Sequence, residues 1–331
     1  MMIRYIDYRE KDHGAFNEEW YAHKKVSGWW YATGYLTDYE DDLFAYQFTL
    51  VKPFVYSMEP FILMLALTDI KNDRHYYYQK VTLFKRNIEI SDGRISFGNL
   101  VDLEKGNHSF KLKIKTDSFN INIKLIKLKE AVWHADHGVL KMGYEAKNNT
   151  TVYYSYTNLP TIGSIKLNNR QLNVKGKTWF NRQWGPYDLI DPSTHWEWFS
   201  LRFFDDEEVI LFAFPQNNYY DGTFINKDGK TILTRDYKLT PTSFTTADGL
   251  RFSNSWDLFT PNVKQERYSI KPLARGQFNI AYFELLAGIY NKEDKLVGYS
   301  FVELLPGVLN KENYSKNKMA LNLFKKRAKQ L

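Results

Sequence analysis

Apolar and polar residues alternate with period two along most of this chain, and that alternation predicts β-strands with one buried face. In the stretch His108–Leu128, Phe110, Leu112 and Ile114 alternate with lysines, and Thr116-Asp117-Ser118 supplies a turn. Phe119, Ile121, Ile123 and Leu125 then resume the alternation against Asn120, Asn122 and Lys124. This is a hairpin. At Ile126 and Leu128 the apolar phase flips, which predicts a bulge of the kind that bends a strand around a barrel. Further hairpin turns are expected at Asp92-Gly93, Asn168-Asn169, Lys227-Asp228-Gly229, Ala247-Asp248-Gly249 and Lys292-Glu293-Asp294, each between β-rich runs. Helical spacing is almost absent. The exception is Glu312–Leu331, where Met319, Leu321, Leu323 and Phe324 among basic residues predict a short C-terminal helix.

Two segments repeat the same order of features. Gly28-Trp29-Trp30-Tyr31 leads through an acidic turn, Asp38 to Asp42, into Leu43–Phe48; Trp196-Glu197-Trp198-Phe199 leads through Asp205 to Glu208 into Ile210–Phe214. Each reads as the first hairpin of a barrel. A chain of 331 residues has room for two domains of about 150 residues each. The expected architecture is therefore all-β, with two tandem lipocalin-like antiparallel β-barrels. With the break near Gly185-Pro186 and Asp191-Pro192, residues 1–187 form the first and residues 188–331 the second, the latter carrying the basic helix.

Composition sharpens the picture. Aromatic residues make up 17% of the chain, with 24 Tyr, 23 Phe and 9 Trp, an excess that suits both pleated sheets and the walls of an apolar ligand cavity. With no cysteine, disulfides, thiolate catalysis and Cys-ligated metals are excluded. A formal charge of +7 raises the question of nucleic acid or an anionic membrane. The lysines answer it: Lys111, Lys113, Lys115, Lys124, Lys127 and Lys129 fall at the solvent positions of strands, and only the tail from Lys316 to Lys329 is dense, as a solvated helix end. Neither nucleic acid nor an integral membrane segment is expected. Met1–Trp20 carries Asp7, Arg9, Glu10, Lys11 and Asp12 and no apolar run of signal-peptide length, so a cytoplasmic location is expected.

Four stretches, in order along almost the whole chain, carry a family resemblance. They are Asp12-His13-Gly14 with Trp29–Leu36, Tyr46-Gln47-Phe48 and Leu65–Asp69; Tyr153-Tyr154-Ser155 with Leu159, Gly163 and Val174–Gly185; Trp196–Leu201; and Tyr282-Phe283-Glu284 with Gly298-Tyr299 and Val302-Glu303-Leu304. Together they resemble the carotenoid 1,2-hydratase (hydroxyneurosporene synthase) family, which includes AttH-type proteins and is related to lipocalin-like pericyclases. The resemblance implies a two-domain lipocalin-like fold and a lipophilic small-molecule substrate that is hydrated or cyclised without a cofactor. Two positions depart from it. The family usually carries Glu just before the paired tryptophans and Asp in Trp-Phe-Asp-Arg-Gln-Trp-Gly, where this chain has Gly28 and Asn181.

Adding water to an isolated alkene begins with proton delivery to carbon, which requires an acid kept protonated by a dry surround and a surface that tolerates a cation. Ring faces supply the second requirement, so Trp29, Trp30, Tyr31, Trp179, Trp184, Trp196 and Trp198 are candidates, with core packing as the competing reading of each. Gln47, Asn181, Arg182, Gln183 and Tyr219 complete the expected substrate-binding set. Arg182 suits an architectural role as well, stacked on a ring or ion-paired across the domain junction. Among acids, Asp221 leads, following Tyr219-Tyr220 just beyond the second domain's first hairpin; Asp69 and Glu197 are weaker candidates. Glu284, in an apolar run, is either a buried functional carboxylate or the partner of a buried arginine. His195 is a candidate proton shuttle.

Other chemistries score poorly. His134-x-x-His137 has ligand-like residue types, but on a strand that spacing does not put both imidazoles on one face, so no metal is expected. No Gly-rich phosphate loop and no Gly-x-Ser-x-Gly elbow is present. Three functions stay open: a hydratase or dehydratase, a cofactor-free cyclase or isomerase that works by shaping a polyene, and a non-catalytic carrier of a hydrophobic ligand.

Overall fold

The computed structural model describes residues 2–54, 57–143, 149–187, 196–247, 250–278 and 283–305. His195, the Asp248-Gly249 turn and the expected helix over residues 312–331 lie outside the described residues. Among those described there is no α-helix, only three single-turn 3-10 helices at Glu18–Trp20, Lys85–Asn87 and Pro215–Asn217. No helix among them is long and apolar enough to cross a membrane. The chain divides into two compact units, Met1–Val139 with Asn148–Asp188, and Leu140–Lys147 with Leu189–Leu331. Each is built on one curled antiparallel sheet, so the fold is all-β and lipocalin-like.

In the first unit the sheet runs Arg74–Thr82, Phe61–Asp69, Leu43–Lys52, Ser27–Thr37, Arg170–Gly185, Thr150–Leu167, Phe119–Ile126, Ser109–Lys115, Val101–Lys105, Arg94–Phe97, Ile88–Ser91. The edge at Ile88–Ser91 is covered by the N-terminal segment, where Arg4 N–H donates to the Ile90 carbonyl (2.8 Å) and Ile90 N–H to the Met2 carbonyl (3.0 Å). In the second unit the order is Thr231–Leu233, Tyr219–Ile225, Glu208–Phe214, Glu197–Phe203, Leu296–Leu304, Phe283–Tyr290, Arg267–Pro272, Leu250–Phe259, Lys238–Ala247. The two repeated segments are hairpins, Ser27–Thr37 with Leu43–Lys52 and Glu197–Phe203 with Glu208–Phe214. In both units the first strand of that hairpin also pairs with the unit's last strand. The same connectivity has been used twice.

Strand parity sets the cores. Phe110, Leu112 and Ile114 are buried while Lys111, Lys113 and Lys115 are exposed, as the alternation predicts. Four expected turns take left-handed backbone: Gly93 (φ +64°), Asn168 and Asn169 (+50° and +63°), Gly229 (+82°) and Asp294 (+57°). The expected bulge at Ile126–Leu128 is not there. The strand ends at Ile126 and Leu128 is 69% exposed, because Lys127 turns its ammonium back onto the Gly106 and Asn107 carbonyls (2.7 and 3.3 Å). The register shift falls instead between Tyr156 and Leu159 of the 18-residue strand Thr150–Leu167. It keeps Val152, Tyr154 and Tyr156 on the core face before it and Leu159, Ile165 and Leu167 on that face after it.

The strands around each repeated hairpin do not follow the one-faced pattern. Ser27–Thr37 and Glu208–Phe214 are buried along almost their whole length. One face holds the apolar core; the other is buried too, and it carries polar and aromatic side chains.

Candidate functional site

On the core face of the first unit, Arg182 organises a closed cluster. Its guanidinium lies over Trp30 (4.2 Å to the ring centroid) and Trp184 (4.8 Å). All five N–H groups are engaged: Nε donates to the Glu19 carbonyl (3.2 Å), Nη1 to those of Trp29 (3.2 Å) and Gln183 (2.8 Å), and Nη2 to that of Tyr21 (2.7 Å) and to His23 Nδ1 (3.1 Å). Because an arginine can only donate, His23 carries its proton on Nε2 and gives that hydrogen bond to Glu19 (2.6 Å). Burial pulls the His23 imidazole down to about 4, so it is neutral at pH 7. Burial would raise the Glu19 carboxyl, but the hydrogen bonds from His23 and the Gly14 N–H hold it below its ordinary value. Trp30, Arg182 and Trp184, expected to bind substrate, therefore belong to the core, and every partner of Arg182 lies within its own unit.

The opposite face of the same strands holds the other candidates. Ser155, Asn181, Tyr31, Thr49, Met64 and Gln79 stand in register across six strands, with Trp179, Thr33, Gln47, Ala66 and Tyr77 in the next row and Gln183 beside Trp29. Except for Trp29, Tyr77 and Gln79 these are buried. Asn181 Oδ1 accepts from Trp179 Nε1 and from Ser155 Oγ (2.6 Å). The serine has then spent its one proton, so at its 2.8 Å contact with His134 Nε2 it accepts, and His134 carries its proton on Nε2. The His134 Nδ1 lone pair is buried and meets no donor among the described residues. Burial pulls His134 down to about 3, which keeps it neutral. Gln183 Nε2 donates to Thr151 (2.6 Å) and Gln47 Nε2 to Thr49 (2.8 Å). The face is thus a neutral hydrogen-bonding surface with aromatic rings. Asp69, weighed as an acid, caps a turn, accepting from Asn72 N (3.2 Å) and Nδ2 (2.8 Å).

In the second unit, parity again separates core from candidates. Glu197 points into the core, where Ser253 (2.6 Å) and Trp256 (2.9 Å) donate to its two oxygens and burial raises its carboxyl. On the opposite face Asp221, Phe212, Trp198, Glu303 and Glu284 stand in register across five strands. At one end of the row, Asp221 is buried and accepts from Arg235 Nε (3.0 Å) and from the Tyr219 hydroxyl (3.5 Å). At the other end, Glu303 is directly opposite Glu284 on the neighbouring strand, hydrogen-bonded to it, and Trp196 Nε1 donates to Glu303 Oε1 (2.7 Å). Burial pushes the Glu303 carboxyl up to about 7, outweighing those two hydrogen bonds. A carboxyl raised to about 7 is protonated in a substantial share of molecules at neutral pH. Across the strands Glu284 faces a second acid.

The sequence reading missed three of these residues. Glu303 and Ser155 lay inside recognised motifs but carried no signal of their own, and His134 was weighed only as a metal ligand.

The fold resembles several solved structures. One is a protein assigned as AttH from Nitrosomonas europaea, 17% identical over 89% of this chain and 97% of that one, with a TM-score of 0.79. Kievitone hydratase from Nectria haematococca is 17% identical over 88% and 93%, with a TM-score of 0.70. CghA, crystallised with Sch210972, is 7% identical over 87% and 90%, with a TM-score of 0.54. At these identities the likeness is one of fold. Among curated proteins none matches the sequence. A family model described as AttH-like matches residues 8–307, nearly the whole chain, and the protein belongs to the AttH-like family.

Proposed function

We propose that this chain is an enzyme that adds water to, or removes it from, an unsaturated lipophilic small molecule. The observation that carries the reading is Glu303, whose burial lifts its carboxyl to about 7 and leaves a protonated fraction at neutral pH, opposite Glu284 and beside the Trp196 and Trp198 rings. Proton transfer from Glu303 to an alkene carbon forms the new C–H bond and leaves a cation on the neighbouring carbon. A ring face stabilises that cation without trapping it, water adds to it, and the proton that water sheds restores the carboxyl pair. The established chemistry of kievitone hydratase, as its name states, is of this class, which supports the reading without fixing the substrate. Asp221, held by Arg235 and next to Tyr219, is assigned to orienting a polar group of the substrate rather than to protonating carbon.

A second reading draws on the first unit. Its buried face of Trp179, Asn181, Gln183, Tyr31, Gln47 and neutral His134 presents hydrogen-bonding groups and rings, which suits a cyclase or isomerase that works by holding a polyene in a reactive shape.

Incubation of the protein with a polyene lipid extract in heavy-oxygen water tests both. Label entering a product supports hydration, an unlabelled isomer supports the second reading, and a lipid that co-purifies unchanged makes the protein a carrier and removes both. Under the first reading Glu303→Gln lowers turnover by about 100-fold or more while the ligand still binds. Turnover kept by Glu303→Gln and lost by Asp221→Asn would transfer the acid role to Asp221.

A further inference from the structure

A cavity of about 590 Å³ opens at one end of the first unit's sheet, where the Asp92-Gly93 turn, residues 105–108 and the chain beyond Ile126 meet Ala15–Asn17. Tyr156 in its lining meets the buried core residue Phe110 edge-on at 5.2 Å between ring centroids, and Phe110 in turn stacks on Trp20 at 6.2 Å. Two lysines stand over these rings. Lys105 Nζ is 5.1 Å from the Trp20 centroid, and Lys127 Nζ is 4.5 Å from Phe110 and 5.2 Å from Tyr156.

Lys127 is fixed by the Gly106 and Asn107 carbonyls, and among the described residues no carboxylate comes within ion-pair distance of either ammonium. Two acids of the cavity's own lining act on them from beyond ion-pair distance: Asp92, which already accepts from the Tyr21 hydroxyl and faces Arg4 at 3.7 Å, on Lys105, and Glu130 on Lys127. A surface lysine normally extends its head into water; these two keep theirs against the rings. Burial and the proximity of Lys127 draw Lys105 down to about 8, and burial draws Lys127 down as well. The lining thus carries three ammonium groups, Lys105, Lys127 and Lys129, against two carboxylates, Asp92 and Glu130, with Phe16, Tyr156 and the exposed Leu128 as its apolar part.

We propose that this cavity binds an amphiphilic anion, its oxygen headgroup held by Lys105 and Lys127 and its hydrocarbon portion laid against Tyr156, Phe16 and Leu128. The site is independent of the Glu303 chemistry, and it takes a carboxylate or a phosphate monoester because a lysine pair reads charge rather than headgroup geometry.

Decanoate, decyl phosphate and decanol are the probes, and the readout on the unaltered protein is acetylation of individual lysines followed by mass spectrometry. Decanoate or decyl phosphate slows labelling of Lys105 at least fivefold relative to exposed Lys111 and Lys113, and the more protective of the two names the headgroup. Decanol at equal concentration does not protect. A Lys105→Gln/Lys127→Gln variant, checked for an unchanged circular dichroism spectrum, binds the better anion at least tenfold more weakly. Equal labelling of Lys105 with and without both anions overturns the proposal, as does protection by decanol that matches theirs.

Discussion

Glu303 stands directly opposite Glu284 on the antiparallel strands Leu296–Leu304 and Phe283–Tyr290, two acids at one cross-strand pair. Burial at this position favours the protonated form of Glu303 and outweighs its hydrogen bonds with Trp196 and Glu284. A stability experiment reads this without any substrate. With its folded value near 7 and its unfolded value near 4.5, Glu303 stabilises the fold fully below pH 4.5, and that contribution is lost as the pH rises towards 7. Glutamine keeps the shape and does not titrate. The melting temperature of Glu303→Gln therefore gains on that of the unaltered protein between pH 5 and 7, by at most about 1.4 kcal/mol per pH unit in free energy before discounting for Glu303's partial exposure, and the gap is constant above pH 7. A gap independent of pH means an ordinary, ionised Glu303.

The chain from Trp179 through Asn181 and Ser155 to His134 fixes a tautomer. Nitrogen NMR of the ring should find His134 neutral, with its proton on Nε2, down to pH 5, because its folded value lies near 3. An imidazolium at pH 6, or a proton on Nδ1, would break the hydrogen-bond order inferred from Ser155.

Much of this was legible from period two, and some of it was not. The Trp179–Trp184 motif reads as one cluster in the sequence, yet alternation alone sends Trp179, Asn181 and Gln183 to one face and Phe180, Arg182 and Trp184 to the other. Applying the period strictly would have separated the core residues from the candidates. The carboxyl pair needed more than alternation. Counting back along the hairpin from Tyr290 opposite Leu296 puts Val302 opposite Glu284; a one-residue shift between Ile289 and Tyr290 brings Glu303 there instead. Sequence pattern does not locate such a bulge. Ser155 and His134 are also joined by pairing: Val132 lies opposite Ser155, so a short strand 21 residues upstream supplies the imidazole.

Arg182 should behave as a structural residue. Arg182→Met leaves four buried carbonyls and His23 without their donor and the Glu19 carboxylate without a nearby cation, at a cost of about 3–5 kcal/mol in urea unfolding. Arg182→Lys recovers little, since three N–H groups on a point charge cannot replace a five-donor planar fork held between two rings. If Arg182 contacted substrate instead, the lysine variant would keep its stability and lose ligand affinity.

Gly28 explains why the carboxylate expected before the paired tryptophans is difficult to accommodate here. It pairs with Trp184, and a Cβ built on it falls 2.9 Å from the Trp184 Cβ, 3.1 Å from the Gln183 carbonyl oxygen and 3.1 Å from Arg182 Nη1. Directly opposite residues in a sheet normally hold their Cβ atoms about 4.5–5.5 Å apart, so the strands here approach more closely than any side chain at position 28 allows. The obstacle is the first carbon, not the charge. Gly28→Ala should then cost about 1–3 kcal/mol by overpacking. Gly28→Glu should cost as much, because its carboxylate would enter a guanidinium whose donors are already engaged. Matched denaturation curves for the two variants check this. Full stability of Gly28→Glu beside a destabilised Gly28→Ala would mean that Arg182 can release partners to a new anion, and that the core cluster is less closed than its five hydrogen bonds indicate.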